Sequence, residues 1–514
     1  MATITGVSAP AKSGELLSER IAPGILPKVL GRFDMIAIFV AIVLFAVQGS
    51  VVQPAGASAF VYWILGFVTF LIPGAIVTGQ LGLMFPGEGS IYVWTNKALG
   101  SFWGFFAGFC AWWPGTLVMV ATAVLVVNLL QFFMSLPPFN VVNPLGALWQ
   151  QGIIILAVIW FSSGLSILRF RVTQNLVNGV FVIYGAAILT VGLAGLAWLL
   201  GGHPAANDFS RNAFGLNPNN ATFYGLVILA LLGIEVPLNM GVEIRDRRAI
   251  TSYLVWGSIV VMVGYLVLTF GAMVVQKNSG PTFNSTTAIL SAVQTSLGAF
   301  VAALVTLVMI AFFIFNTTVY NYSFARLLFV SGLDRRLPAF IGRVNRNKVP
   351  QNAVLVQAVI TTILTAIAYF LFSGNANLSV GIYIALQAAV TVIWCLSMVF
   401  LFADVLIIRT KYPEEFKREQ LVPIWLFWAA SLAGAVASAV GVLVTLTGGW
   451  LLDPKHQLAG SWNPAVIPHG PWILIVGGVG IASLVVAVVV YLLGLNTARR
   501  VLATSGGAGP GAGS

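Results

Sequence analysis

The sequence predicts an all-α polytopic membrane protein with twelve transmembrane helices. Three observations predict it. Of the 514 residues, 59% are hydrophobic and 8% charged, where soluble domains carry about 25% charged residues. The mean hydropathy is +0.96. The apolar residues fall in blocks of the roughly 20 residues that a bilayer-spanning helix needs, not in the short alternating strands of an outer-membrane barrel. Finally, Lys and Arg gather in alternate gaps between those blocks.

In chain order, residues 1–33 are mixed and polar, without an apolar core before a cleavage site. They read as a cytoplasmic tail rather than a signal peptide. Apolar spans follow near 34–54, 58–84, 102–131, 150–167, 174–200, 222–242, 250–275, 287–325, 351–372, 379–408, 423–447 and 471–494. The eighth is too long for one crossing, so part of it should leave the membrane. Residues 201–221 form an external loop, and 495–514 a Gly-rich cytoplasmic tail. With the N-terminus inside, 22 of the 25 basic residues fall in inside segments, and only Arg211, Lys277 and Lys455 fall outside. One missed span would invert every later loop, so the asymmetry supports twelve crossings with both termini cytoplasmic. The net charge of +11 therefore belongs to positive-inside loops and implies no nucleic-acid partner. Cys110 and Cys395 lie in apolar spans and read as small buried hydrophobes.

Two spans carry breakers. The sixth contains Gly233-Ile234-Glu235-Val236-Pro237, and the first contains Gln48-Gly49-Ser50-Val51-Val52-Gln53-Pro54. Glu235 reads as the only acid deep within a span, and an ionisable group there costs several kcal/mol unless partnered. Asp404 stands one turn from Arg409 at the inner end of the tenth span. Proline deletes a helix hydrogen bond and glycine loosens the backbone. Interruptions at matching places in two halves are the sequence signature of a transporter's binding site; the other reading is two ordinary kinks. A break around Ser50 would offer N–H groups to a carboxylate, and the carbonyls near Leu229 and Leu232 would face an amine.

Four motifs then resemble the amino acid–polyamine–organocation superfamily. They are "FPGEGSIYVWTNKALGSFWGFFAGFCAWW" (85–113), "RVTQN" (171–175), "GIEVPLNMGVEIRDRR" (233–248) and "FARLLFVSGLDRRLPAFIGRVNRNKVP" (324–350). The resemblance implies a LeuT-like five-plus-five inverted repeat plus two extra helices. The repeats would cover 34–200 and 222–408, with the extra helices in 409–494. It also implies alternating access and an amino acid or related amine as substrate. The substrate-binding candidates are Gln48, Gly49, Ser50, Val51, Trp112, Leu229, Leu232, Gly233 and Ile234, and the coupling candidates are Glu235, Thr317 and Thr318. Thr317 and Thr318, with Asn316, could give oxygens to a sodium ion. No other metal and no cofactor is implied, and the coupling ion is H+ or Na+.

The chain departs from that family in three places. Val51 replaces a frequent glycine, Leu229 replaces a stacking aromatic, and residues 174–200 contain no lysine that could stand in for sodium. Tyr383, Gln387 and Thr391 share one helix face that could line the path. No HExxH, GxSxG or P-loop occurs, so the chain is not expected to be an enzyme. The expected activity is secondary transport, as symporter or exchanger, in the plasma (inner) membrane. The alternative is an ion or solute channel. The oligomeric state stays open.

Overall fold

In a computed structural model, the structure describes residues 15–142, 144–216, 222–278, 284–371, 377–447 and 469–506. Residues 1–14 of the expected N-terminal tail, part of the loop 201–221, Lys455 and the end of the Gly-rich tail lie outside them. Among the described residues the chain is helical throughout, with two isolated bridges, Leu30 to Ile244 and Glu88 to Met240.

The first half runs as α1 (Leu17–Ile25), α2 (Arg32–Val43), α3 (Gln48–Val51), α4 (Ser58–Met84), α5 (Ser90–Leu99), α6 (Ser101–Ser135), α7 (Leu148–Ile167) and α8 (Phe170–Leu200). The second runs as α9 (Thr222–Leu231), α10 (Arg248–Val275), α11 (Ala288–Leu297), α12 (Ala299–Leu333), α13 (Gln351–Leu371) and α14 (Asn377–Lys411). Then come α15 (Pro413–Arg418), α16 (Ile424–Thr447) and α17 (His469–Gly506). Among the described residues, eleven helical spans are long and apolar enough to cross a membrane, α2 and α3 together counting as one. The sixth expected span is different: its helix stops at Leu231 and continues as unwound chain into a 3-10 turn, Val236–Asn239.

Several elements of the two halves match in order and length. Ten-residue α5 meets α6 at Gly100, with φ 92° and ψ 179°. Ten-residue α11 meets α12 at Gly298, with φ 90° and ψ 166°. Only glycine tolerates that backbone region, so each corner is set by one residue. Both α6 and α12 have 35 residues. The over-long eighth span is thereby resolved: its first ten residues form α11, outside the crossing helix. Helices α4 and α10 each carry one π turn, at Phe67–Leu71 and Tyr253–Gly257.

Burial orders the bundle. The most apolar window of the first span is 89% buried, while that of α17 is 22% buried. The first span therefore lies in the middle and α17 at the rim. Helix α12 packs along α6, and α2 lies against α8, α10 and α12.

Candidate functional site

Helix α2 ends at Val43, leaving the carbonyls of its last turn without helical partners, although Val43 O accepts the Phe45 N–H at 3.3 Å. Side chains from three other helices take them up. The Asn316 amide donates to Ala41 O. The Tyr320 hydroxyl donates to Ile42 O at 2.8 Å, Tyr265 to Val43 O at 2.5 Å and Tyr184 to Leu44 O at 2.8 Å. Tyr184 and Tyr265 also accept from the N–H groups of Ala46 (2.8 Å) and Phe45 (3.2 Å). The break is therefore at Leu44–Val47, not around Ser50 as the Gly-Ser-Val stretch suggested. Gln48–Val51 is a helical turn, and Ser50 N is bonded to Val47 O at 3.1 Å. It has no free N–H to offer. The Ser50 hydroxyl donates to Val47 O (2.9 Å) and Ser285 O (2.5 Å), while Gly49 O accepts from Thr269 at 3.1 Å.

The second break lies where the sequence placed it. Gly233 has φ +108°, and an added Cβ would meet Ile42 at 2.5 Å and Trp394 at 3.2 Å. Glycine is thus required both for the turn and for the close approach of α2. Tyr253 donates to Ile234 O at 3.1 Å and Tyr265 to Ala230 O at 3.1 Å, so one tyrosine joins both breaks. Trp394 of α14 donates to Glu235 Oε1 at 2.9 Å. Glu235 Oε2 has no partner among the described residues. Nor do the N–H groups of Gly233 and Ile234 or the carbonyls of Leu231 and Leu232.

Between the breaks lies a cavity of about 20 Å³, whose walls include Phe45, Gln48, Leu229, Leu232, Tyr320 and Trp394. That is room for about one water. Of the expected residues, Gln48, Leu229 and Leu232 line it; Gly233, Ile234 and Glu235 stand beside it. Val51 and Trp112 are not on its walls. Trp112 donates to Gln357 at 2.9 Å and faces a different, apolar cavity. Gln387 lines the central cavity, and Thr391 donates to Gln387 O at 2.9 Å. The Tyr383 side chain lies outside the described residues. Thr317 shares a hydrogen with Thr122 at 2.8 Å and donates to Phe313 O; Thr318 donates to Ile314 O. Their hydroxyls serve helix packing, and it is Asn316 that reaches the carbonyls of α2.

The sequence reading missed a charged cluster at the basic end of the bundle. Arg326 was counted as a loop residue. It lies in α12, two turns before the helix ends at Leu333, and is fully buried. Its Nε stands 3.0 Å from Glu88 Oε1, and its Nη2 hydrogen-bonds Glu243 Oε1. Burial raises the Glu88 carboxyl well above its ordinary value, and the Glu243 charge adds to this; Arg326 and the Val242 N–H oppose it. Glu243 is raised for the first of those reasons. Two buried acids with one guanidinium favour keeping a proton on the pair. Around them the chain is knitted together: Val29 and Leu30 donate to Glu243 O at 2.8 and 2.9 Å, and Gly89 donates to Asn239 O at 3.0 Å. Asp404 is a further correction. It is buried and accepts from Thr95 at 2.5 Å, with no ion pair to Arg409. Glu235 is therefore not the only buried acid in an apolar helix. Each of these was hidden because motif position says nothing of burial.

The comparisons agree with this architecture. Residues 29–481 match the profile of the family described as "Amino acid permease". A probable agmatine/putrescine antiporter of Lactococcus lactis is 24% identical over 65% of this chain and 71% of its own length. A glutamate/gamma-aminobutyrate antiporter of the same species is 24% identical over 71% and 73%. An uncharacterized transporter of Legionella pneumophila is 22% identical over 86% and 91%. With the profile spanning most of the chain and the relatives being transporters, the protein belongs to the amino acid permease family and is a secondary transporter.

Proposed function

We propose that the protein exchanges small amine-bearing solutes, an amino acid or a related amine, by alternating access around the cavity between the two breaks. The observation that carries this reading is the wall of that cavity. It has no charged side chain, but it has two glutamines, Gln48 and Gln387, and the rings of Phe45, Tyr320 and Trp394. Aromatic faces attract an ammonium group, and the unpaired N–H groups at Gly233 and Ile234 suit a carboxylate. A substrate with a neutral side chain fits such walls. Two relatives, a probable antiporter of agmatine/putrescine and an antiporter of glutamate/gamma-aminobutyrate, support exchange over symport.

The matched element order supports two inverted repeats, and the basic loops support cytoplasmic termini in the plasma (inner) membrane. At about 20 Å³ the cavity holds no amino acid, so the walls must part for substrate to enter. The test is counterflow in proteoliposomes loaded with candidate amines and amino acids. Trans-stimulated uptake of one such solute, lost in Gly233→Val, supports the reading. Uptake that is never trans-stimulated and never saturates would indicate a channel. Strict sodium dependence without counterflow would indicate a symporter.

A further inference from the structure

A second cavity, about 190 Å³ in volume, lies away from the breaks among α6, α12, α13 and α17. Its lining includes Phe105, Trp113, Leu327, Ile341, Ile360 and Val490, and is almost wholly apolar. An apolar cavity of about 150 Å³ stays dry and accepts hydrocarbon guests. The α17 wall is the least buried helix of the bundle, and its lining residue Val486 is 46% exposed, so the cavity is reached from the lipid side.

Its rim at the basic end is cationic. Leu337 and Val490 line the cavity, and the residues next to them, Arg336 and Tyr491, meet with the guanidinium 5.5 Å from the ring centre. Arg335 and Arg343 are exposed on the same loop. Among the described residues none of the ion pairs involves Arg335, Arg336 or Arg343. The carboxylate next to them in sequence, Asp334, accepts from the Ser18 N–H at 2.7 Å and hydroxyl at 2.9 Å. Guanidiniums without an ion pair among the described residues, beside an apolar slot at the membrane boundary, complement a molecule with a hydrocarbon tail and an anionic head.

We propose that this cavity is a binding site for an anionic glycerophospholipid. A segment of one acyl chain enters the space between α6 and α17, and the phosphate rests on Arg335, Arg336 and Arg343. Bound there, the lipid bridges α17 to the loop after α12. It bears on the helix that carries Arg326, whichever solute is transported.

The experiment uses the purified full-length protein with dioleoyl phosphatidylglycerol and, as control, dioleoyl phosphatidylcholine. Native mass spectrometry and thermal melting are the readouts. The expected result is retention of phosphatidylglycerol at least tenfold tighter than phosphatidylcholine. Each arginine is worth about fivefold, so Arg335→Gln/Arg336→Gln/Arg343→Gln together should weaken phosphatidylglycerol by roughly a hundredfold and abolish the preference. Val486→Trp, on the exposed face of α17, should block both lipids while leaving melting without lipid unchanged. Ile360→Trp repeats the block from the opposite wall should that variant fail to fold. Equal binding of the two lipids overturns the proposal. So does unchanged phosphatidylglycerol retention in both tryptophan variants, which would place the lipid on the outer surface. A dimer broken by Val486→Trp would make a second copy the occupant and overturn it as well.

Discussion

The two halves of the chain share their element order but hold their breaks differently. In the first half, carbonyls from Ala41 to Leu44 each accept from a side chain, supplied by Asn316, Tyr320, Tyr265 and Tyr184. In the second, Ala230 and Ile234 have tyrosine donors, while the carbonyls of Leu231 and Leu232 and one oxygen of Glu235 are left without partners. The first break is braced and the second is loosely held. The two ends differ as well. Asn128 stands as far past Gly100 as Arg326 stands past Gly298. The second half thus places a buried guanidinium where the first half places an amide. The basic end is sealed by Glu88, Arg326 and Glu243; the opposite end has no such charged cluster among the described residues. If the matched elements are two repeats, the scaffold is shared, and these departures are what make the two breaks and the two ends differ.

The largest effect should come from unlocking the sealed end. Arg326→Met leaves two buried carboxylates facing each other and should cost about 3–5 kcal/mol in thermal unfolding. Loss of less than about 1 kcal/mol would mean that the cluster is not the lock. The same cluster makes stability depend on pH. Glu88 titrates higher in the folded protein than in the unfolded chain. The folded state therefore binds more protons above the ordinary carboxylate range, and stability declines as pH rises through that window. Glu88→Gln should flatten the slope, and a slope that persists would move its origin elsewhere.

Next come the braces. An orphaned buried acceptor costs about 1–3 kcal/mol. Tyr265→Phe strands the carbonyl of Ala230 and leaves Val43 O only the Phe45 N–H at 3.3 Å, whereas Tyr253→Phe strands that of Ile234. The first should destabilise more than the second, by about 0.5–1.5 kcal/mol for the extra hydrogen bond. Equal losses would contradict the contrast between a braced and a loose break.

The glycine corners test the repeat itself. A Cβ on Gly100 or Gly298 meets nothing within 4 Å, so alanine there adds backbone strain alone. Gly100→Ala and Gly298→Ala should each cost about 1–3 kcal/mol. A difference beyond about 1 kcal/mol would show that the corners are not equivalent.

The smallest effect on stability is expected from the orientation test. Asn347→Cys and Arg211→Cys both lie at exposed positions at opposite ends. In intact cells an impermeant reagent should label position 211, and position 347 only after permeabilisation. The reverse pattern would turn the two ends around.

Local chemistry made much of this legible. Hydropathy blocks, a glycine inside an apolar run and the placement of Lys and Arg act through neighbours in sequence. They located the spans, the second break at Gly233 and the surplus length of the eighth span. Gln48, Leu229 and Leu232 were placed at the cavity for the same reason, being next to breakers. The first break was misplaced because Leu44–Val47 carries no breaker at all. It stays open through hydroxyl and amide donors on α8, α10 and α12, more than a hundred residues away in sequence. Arg326, Glu88 and Asp404 read as interfacial charges, since composition cannot show which charge the fold will bury. The sequence by itself determined a helical membrane bundle of this family, because desolvating backbone in lipid permits few alternatives. Only tertiary structure decided where α2 unwinds, which acids share a guanidinium and how small the closed cavity is. Those depend on side chains brought together by packing, and no local pattern encodes them.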